Sequence, residues 1–209
     1  MIPAVEALQR LREGNRRYAS NVTEGLALHG PTRRAELVGG QAPFAIILGC
    51  SDSRVPAELV FAQGLGDLFV IRVAGNIVAP SQVGSIEFAA ERFGSRLVVV
   101  LGHSQCGAIE ATLEELKRPS ESRSPNLRSI VDRIRPAVEP LLETGQPHGP
   151  EALLHQAVRA NIRASADHLR HGSRILEQLV AEHGLAVVGA EYSLRTGLVD
   201  FFDGVPGSR

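Results

Sequence analysis

The chain contains no tryptophan, one methionine, two tyrosines and two cysteines among its 209 residues. Lysine occurs once, at Lys117, and the 22 basic residues are balanced by 23 acidic ones. A nucleic-acid-binding surface normally concentrates positive charge, so this balance argues against nucleic acid as a partner.

Long hydrophobic runs are also missing. The longest apolar stretches, such as Ala45–Leu48 and Leu97–Leu101, are far shorter than the roughly 18 residues that a membrane span needs. The N-terminal segment carries charged side chains at helical intervals and lacks the continuous apolar core of a signal peptide. We therefore expect a cytoplasmic protein without a membrane partner.

The two cysteines, Cys50 and Cys106, allow three interpretations: one disulfide, two buried core thiols, or part of a metal site. A chain of this length can bury a core without a covalent cross-link, and a reducing cytosol disfavours a structural disulfide. The residues around the two cysteines are therefore needed to distinguish buried core thiols from a metal site.

The apolar patterning predicts an α/β fold. Three short, almost continuously apolar segments are typical of strands covered on both faces, namely Phe44–Leu48, Leu68–Ile71 and Leu97–Leu101. Helical patterns at Pro56–Gln63 and Ser81–Phe93 separate these strands, and a further helix is predicted from His103 onward. This alternation predicts a doubly wound, mainly parallel sheet.

The remaining elements complete a sheet of about four mainly parallel strands with a C-terminal antiparallel edge strand, flanked by helices. They are an N-terminal helix ending at Ser20, a helix over Pro31–Val38, a helix over Asn126–Thr144 interrupted at Pro136 and Pro140, a helical region over Pro150–His183 with a break at Gly172, and a hairpin of Leu185–Tyr192 and Leu198–Phe202. The segment between the first two helices and the segment 118–125 are predicted to be irregular.

Both cysteines lie where a predicted strand ends. Cys50 follows the first strand, and His103 and Cys106 follow the third. Sites in open α/β sheets form at the carboxyl ends of strands, so these three side chains are expected to converge. The spacing of three also places His103 and Cys106 on one face of the predicted helix. Two cysteines and one histidine leave one position of a tetrahedral zinc ion open, as in catalytic sites.

An acidic and a basic residue accompany the first cysteine. Asp52 and Arg54 alternate with Cys50 along an extended segment, so all three side chains can face one cavity. Asp52 can then accept a hydrogen bond from a metal-bound water while Arg54 keeps it ionised, or the two can form a structural ion pair. Each cysteine segment taken alone is more typical of buried core thiols, but their combination favours a metal site.

The motif residues fall in three segments, Cys50–Pro56, Ala74–Asn76 and Gly102–Gly107. Together these segments resemble the signature of the β-class carbonic anhydrases, over a stretch from about Gly40 to Leu116. The resemblance implies one zinc ion per subunit on Cys50, His103 and Cys106, and a catalytic pair of Asp52 and Arg54. It also implies reversible hydration of carbon dioxide to bicarbonate and a proton through zinc-bound hydroxide.

The family resemblance also assigns substrate-binding residues. In plant-like members a glutamine from the partner subunit lines a small apolar pocket beside the metal, and Gln41 stands at its position. Phe69 matches a pocket phenylalanine, Ala74 stands where those members carry valine, and Phe88 where they carry tyrosine. Without the family, Phe69 and Phe88 read as core residues and Gln41 as a solvated loop residue. The backbone N–H of Gly107 can help to hold the anionic product.

A second subgroup of the family, the enterobacterial enzymes, has a non-catalytic bicarbonate pocket built around a tryptophan. Ile47 occupies that position here, so the pocket cannot be built in the same way. Val55–Glu58 resembles the loop that moves in those proteins. A closed state at low pH, with Asp52 as a fourth zinc ligand, is therefore a further possibility.

The resemblance implies a homodimer or homotetramer whose subunits exchange the N-terminal arm, with carbon dioxide and bicarbonate as the small-molecule partners. The alternatives are a carbonyl sulfide or carbon disulfide hydrolase on the same scaffold, and a non-catalytic zinc-binding sensor. Asp52 and Arg54 argue against the sensor, because a structural zinc ion requires neither. We interpret 1–209 as one domain made of an N-terminal helical arm (1–40), a zinc-site core (41–117), a helical region (118–184) and C-terminal strands (185–209).

Overall fold

The computed structural model describes residues 2–22, 30–119, 124–143 and 149–207, and it is organised around one five-stranded sheet of order β2-β1-β3-β4-β5. The strands are β1 (Ala45–Gly49), β2 (Leu68–Arg72), β3 (Leu97–His103), β4 (Ala186–Tyr192) and β5 (Val199–Asp203). Strands β1 to β4 are parallel, and β5 pairs antiparallel with β4 at the edge. The predicted fold class is therefore confirmed.

Helices cover both faces of the sheet. They are α1 (Ala4–Ala19), α2 (Pro31–Leu37), α3 (Ala57–Val60), α4 (Pro80–Arg92), α5 (Gly107–Lys117), α6 (Pro125–Glu143), α7 (Pro150–His171) and α8 (Arg174–His183), with a short 3-10 helix over Ala74–Asn76. No helix among the described residues is both long and apolar enough to cross a bilayer. The predicted break at Gly172 is confirmed, since that residue separates α7 from α8.

The packing of the central strand β1 explains why apolar residues follow one another without a break in the sequence of this strand. Ile46 and Leu48 pack in the core beneath α4 to α8, whereas Ala45 and Ile47 pack in the core beneath α1 and α3. Successive side chains of a strand point to opposite faces, so a strand covered on both faces needs apolar residues at every position.

Two predicted features of the helices are wrong. Strand β3 extends to His103, because Gly102 and His103 still pair with β4, and α5 begins only at Gly107. Helix α6 runs without interruption through Pro136 and Pro140. Both prolines are exposed, so water can satisfy the carbonyl groups that lose their helical partner. The two segments predicted to be irregular lie partly outside the described residues.

Helix α1 packs on the sheet of its own chain. Its apolar stripe, including Leu8 and Leu11, is buried in the same core as Phe61 and Ile47. Gly14 lies against the end of α3, where a Cβ atom would overlap the Phe61 carbonyl oxygen, so the close approach requires glycine. In the structure of the single chain, α1 covers the sheet of that chain, and the packing of this arm on another subunit stays a prediction.

Asn15 fixes the position of α1 through three buried or partly buried hydrogen bonds. Its Nδ2 donates to the carbonyl oxygens of Val60 at 3.1 Å and Gly197 at 2.8 Å. Its Oδ1 accepts from the backbone N–H of Val199 at 2.8 Å. One side chain thus joins α1, the end of α3 and the turn between β4 and β5.

Replacing Asn15 by alanine should lower the free energy of unfolding by about 2–4 kcal/mol, because three backbone groups lose their partner inside the protein. Chemical denaturation measures this loss. Gln9→Ala is the control, since Gln9 lies on the exposed side of the same helix, and its effect should stay within about 0.5 kcal/mol. An Asn15→Ala effect as small as that of the control would contradict the role of this side chain.

Candidate metal centre

Two neighbouring parallel strands and one helix position a cluster of three metal-binding side chains. Cys50 follows β1 directly, His103 is the last residue of β3, and Cys106 immediately precedes α5. All three are buried, and their Sγ and ring nitrogen atoms lie within 4.8 Å of one another. The convergence expected from the sequence is therefore present, although His103 and Cys106 reach it from a strand end and a helix start rather than from one helical face.

The histidine is oriented to offer a lone pair to the cluster. His103 Nδ1 lies 2.9 Å from the carbonyl oxygen of Ser104, and since a carbonyl can only accept, Nδ1 carries the proton. Nε2 is then an acceptor. It is buried and has no hydrogen-bond partner among the described residues. Such an orphaned atom is costly inside a protein, and a metal ion at the centre of the cluster would satisfy it.

The two thiols differ in acidity because they lie against each other. The side chain of Cys106 hydrogen-bonds to Cys50 and, helped by the backbone N–H of Gly75, lowers the pKa of Cys50 well below its usual range. The thiolate of Cys50 and burial in turn raise the pKa of Cys106. Two adjacent thiols that compete for one proton, with a neutral imidazole beside them, form a donor set suited to a soft divalent cation such as zinc.

Asp52 and Arg54 form a two-point ion pair at the rim of the cluster. Arg54 Nε donates to Asp52 Oδ1 at 2.9 Å and Nη2 donates to Oδ2 at 2.7 Å. The backbone N–H of Arg54 also donates to Oδ1 at 2.9 Å. These bonds hold the pKa of Asp52 well below its ordinary value, so the carboxylate is ionised at neutral pH.

The same bonds keep Asp52 outside the ligand set. Its Oδ2 lies 3.8 Å from His103 Nε2, yet both carboxylate oxygens accept from Arg54. The group of converging ligand atoms comprises Cys50, His103 and Cys106. The structure thus represents an open arrangement, and the closed state with Asp52 on the metal remains a prediction.

Arg72 is a site residue that sequence reasoning missed. From the end of β2 its Nε donates to the carbonyl oxygen of Cys50 at 3.0 Å and its Nη2 to that of Asp52 at 2.6 Å. The segment between a ligand and the ion pair is therefore held by a third strand. Its position in the sequence could have revealed it, because Arg72 ends a parallel strand at the same edge of the sheet as Cys50.

Two of the predicted pocket residues lie beside the cluster. Ala74 precedes Gly75, whose N–H donates to Cys50 Sγ at 3.4 Å. Gly107 follows Cys106 as the first residue of α5. Ala74 is therefore next to a residue that contacts Cys50, and Gly107 is next to Cys106 itself.

The other three predicted pocket residues lie away from the cluster of their own chain. Phe69 pairs in register with Ile46, which precedes Cys50 by four residues. Phe69 is therefore roughly 13 Å from Cys50 along the strand direction. Its ring contacts that of Phe88, with centroids 6.3 Å apart. Gln41 is exposed and precedes β1, at the opposite end of that strand from Cys50.

The fold is of the α/β class, and Cys50, His103 and Cys106 form a donor set suited to one metal ion. A family model described as carbonic anhydrase matches residues 45–199 of the chain. A carbonic anhydrase of Mycolicibacterium smegmatis is 38% identical over 199 residues, covering 94% of this chain and 92% of the relative. Carbonic anhydrase 2 of Mycobacterium tuberculosis is 36% identical over 195 residues, covering 92% and 90%.

Solved structures agree with the sequence relatives. The β-carbonic anhydrase CcaA is 26% identical and superimposes with a TM-score of 0.72, covering 96% of this chain and 97% of its own. A tetrameric β-carbonic anhydrase of Sordaria macrospora, 24% identical, shares the fold with a TM-score of 0.71 and coverage of 94% and 97%. The chain belongs to the carbonic anhydrase family, and within it to the β class.

The low pKa of Asp52 predicts a specific pH dependence of stability. An acid whose pKa is lower in the folded state stabilises the fold above its unfolded pKa of about 3.9, and this stabilisation is lost as the pH falls through the folded value. Arg54→Gln removes the donor and should raise the pKa of Asp52. The difference in Tm between wild type and Arg54→Gln should therefore be constant above about pH 5 and shrink in more acidic buffer.

Thermal unfolding with a chelator present measures this difference without a contribution from bound metal. Arg34→Gln is the control, because it removes an exposed arginine of α2 that lies outside the ion pair. A gap between wild type and Arg54→Gln that widens on acidification would show that the Arg54 side chain does not hold the charge of Asp52.

Proposed function

We propose that the chain catalyses the reversible hydration of carbon dioxide to bicarbonate and a proton. The observation that carries this proposal is the buried cluster of Cys50, His103 and Cys106 with the ionised Asp52 held beside it by Arg54. A structural site needs only ligands, whereas a charged acceptor fixed at the rim is what a reacting water molecule requires. Membership of the family supports the same reaction.

Cys50, His103 and Cys106 would hold one zinc ion per subunit. When bound, zinc lowers the pKa of a water molecule, so that a nucleophile is available near neutral pH. The protein contributes the orientation of the ligands, since Gly75 donates to Cys50 Sγ and the carbonyl oxygen of Ser104 fixes the tautomer of His103.

Asp52 acts as an orienting acceptor for the nucleophilic water. An ionised carboxylate can only accept hydrogen bonds, so it holds the water through its hydrogen and leaves an oxygen lone pair free for the carbon atom of carbon dioxide. Arg54 keeps Asp52 ionised and fixes both of its oxygens. In the forward direction one water adds to one carbon dioxide, giving bicarbonate and one proton that passes to the buffer. The N–H of Gly107, the first residue of α5, would help to bind the new negative charge.

The wall of the substrate pocket would come from a second subunit. Gln41, Phe69 and Phe88 match pocket residues by resemblance but lie away from the cluster of their own chain. Phe88 is 53% exposed on α4, which packs beside the edge strand β2. An exposed aromatic surface of this kind is typical of an interface, and two subunits could place it over each other's metal centre.

The proposed assembly is a homodimer or homotetramer in the cytoplasm, with no nucleic-acid or membrane partner. The relative from Sordaria macrospora is described as tetrameric. In an exchange of N-terminal arms, the contacts of α1 with the sheet would be made by the identical helix of the partner.

Stopped-flow measurement of carbon dioxide hydration tests the activity, with the zinc content of the same sample determined. Wild-type protein should be active in proportion to bound zinc, inactive after chelation and active again after zinc is restored. Asp52→Asn should keep its zinc and lose about 10- to 100-fold in kcat/KM, because it no longer orients the water as an anion.

Asp132→Asn is the matched control, since Asp132 is an exposed acid on α6 and should leave the rate unchanged. Fully zinc-loaded wild-type protein that does not hydrate carbon dioxide would refute the proposal. Assays with carbonyl sulfide and carbon disulfide on that protein would then test the alternative hydrolase.

The shared pocket predicts that assembly and activity are lost together. Phe88→Glu should shift the native mass toward the 22.4 kDa of one chain and reduce hydration, while the zinc content stays the same. Light scattering after size-exclusion chromatography gives the mass. Leu127→Glu, an equally exposed apolar residue on α6, is the control and should change neither quantity. A fully active Phe88→Glu monomer would contradict the shared pocket.

A further inference from the structure

Gly75 connects the metal centre to the helical layer behind it. Its backbone N–H donates to Cys50 Sγ at 3.4 Å, in a buried contact. Gly75 itself has φ 71 and ψ 19, which is the left-handed conformation that glycine adopts most readily. A Cβ atom here would also press on Ile134 and Ala108, so both space and conformation restrict the position to glycine.

Glycine has the widest conformational freedom of all residues, so the direction of its N–H must be fixed by its surroundings. The neighbouring backbone supplies part of this: the N–H of Val73 donates to the carbonyl oxygen of Gly49 at 3.1 Å, and that of Asn76 donates to the carbonyl oxygen of Val73 at 3.0 Å. The second of these bonds orients the peptide group that also carries the carbonyl oxygen of Gly75.

The bond to the carbonyl group of Gly75 comes from Asn161. This side chain lies in the middle of α7, is 2% exposed, and donates from Nδ2 to Gly75 O at 2.8 Å. Asparagine is an unfavourable residue inside a buried helix unless its amide is used. The two residues are 86 positions apart in the sequence, so the bond depends on the tertiary fold.

We infer that Asn161 is a positioning residue for Cys50. It fixes the carbonyl group of Gly75, and thereby holds the left-handed conformation in which the N–H of the same residue points at the cysteine sulfur. The inference rests on the proposed role of Cys50 as a zinc ligand.

The consequence for the metal centre is electronic as well as geometric. A hydrogen bond to a thiolate withdraws electron density from sulfur and makes it a weaker donor to a metal. With zinc bound, a weaker donor would leave more positive charge on the metal and would favour ionisation of a bound water molecule. Asn161 thus acts on the chemistry through one residue, Gly75, whose N–H and carbonyl groups lie in two consecutive peptide groups joined at its Cα atom. It touches neither substrate nor metal.

Cobalt substitution tests the inference, because thiolate-to-cobalt charge transfer gives an absorption band that reports the donor strength of sulfur. In Asn161→Ala and Asn161→Leu the Cys50 sulfur loses its aligned N–H donor, so the band should shift to longer wavelength. The kcat/KM of the zinc-loaded variants should fall about 10- to 100-fold at full zinc occupancy. Two variants are used because they differ in volume, so one can fold where the other does not.

Ser95→Ala is the matched control. Ser95 is also 2% exposed and donates a buried hydrogen bond to a carbonyl group, that of Pro43 at 2.6 Å, but it lies at the amino end of β3. Its loss should leave the cobalt spectrum unchanged. An unshifted band in the folded Asn161 variants, or an equal shift in Ser95→Ala, would overturn the role of Asn161. A wild-type protein without thiolate-to-cobalt absorption would refute the metal centre itself.

Discussion

Parallel pairing of β1 with β3 is the constraint on which the rest of the site depends. It aligns the ends of two strands that are about fifty residues apart in the sequence, and so places Cys50 next to His103. The pairing in turn depends on apolar side chains on both faces of β1 and β3, because only a sheet covered on both sides excludes water from this edge. The convergence of Cys50, His103 and Cys106 is therefore a consequence of the core.

Three sets of hydrogen bonds fix the side chains and backbone around Cys50, His103 and Cys106, which strand pairing alone does not hold. The carbonyl oxygen of Ser104 selects the tautomer of His103, and Arg72 holds the backbone on either side of Cys50 and Asp52. Arg54 occupies both oxygens of Asp52 and keeps it from approaching the cluster. Each of these hydrogen bonds gives a polar group of the site its partner. The bonds that satisfy these groups therefore also hold the site in its geometry.

The sequence was sufficient for the parts of the fold that depend on local pattern. Continuous apolar runs located three of the four parallel strands to within two residues at each end, and the motif spacing located the ligands and the ion pair. The reason given for the spacing of His103 and Cys106 was wrong, because pairing with Glu191 and Tyr192 prolongs β3 by tertiary contact. Asn161 was missed for a similar reason, since its partner Gly75 is 86 residues away and no local pattern marks it. Arg72 was marked only by its position at the end of a predicted strand.

The bonds of Asn15 also have a consequence for the order in which the protein becomes complete during synthesis. Its partners Gly197 and Val199 lie 182 and 184 residues further along the chain. Helix α1 therefore cannot be locked in place until residues 197–199 have left the ribosome, although the residues of the metal cluster emerge far earlier. Until then, the apolar stripe of α1 has only part of its final environment.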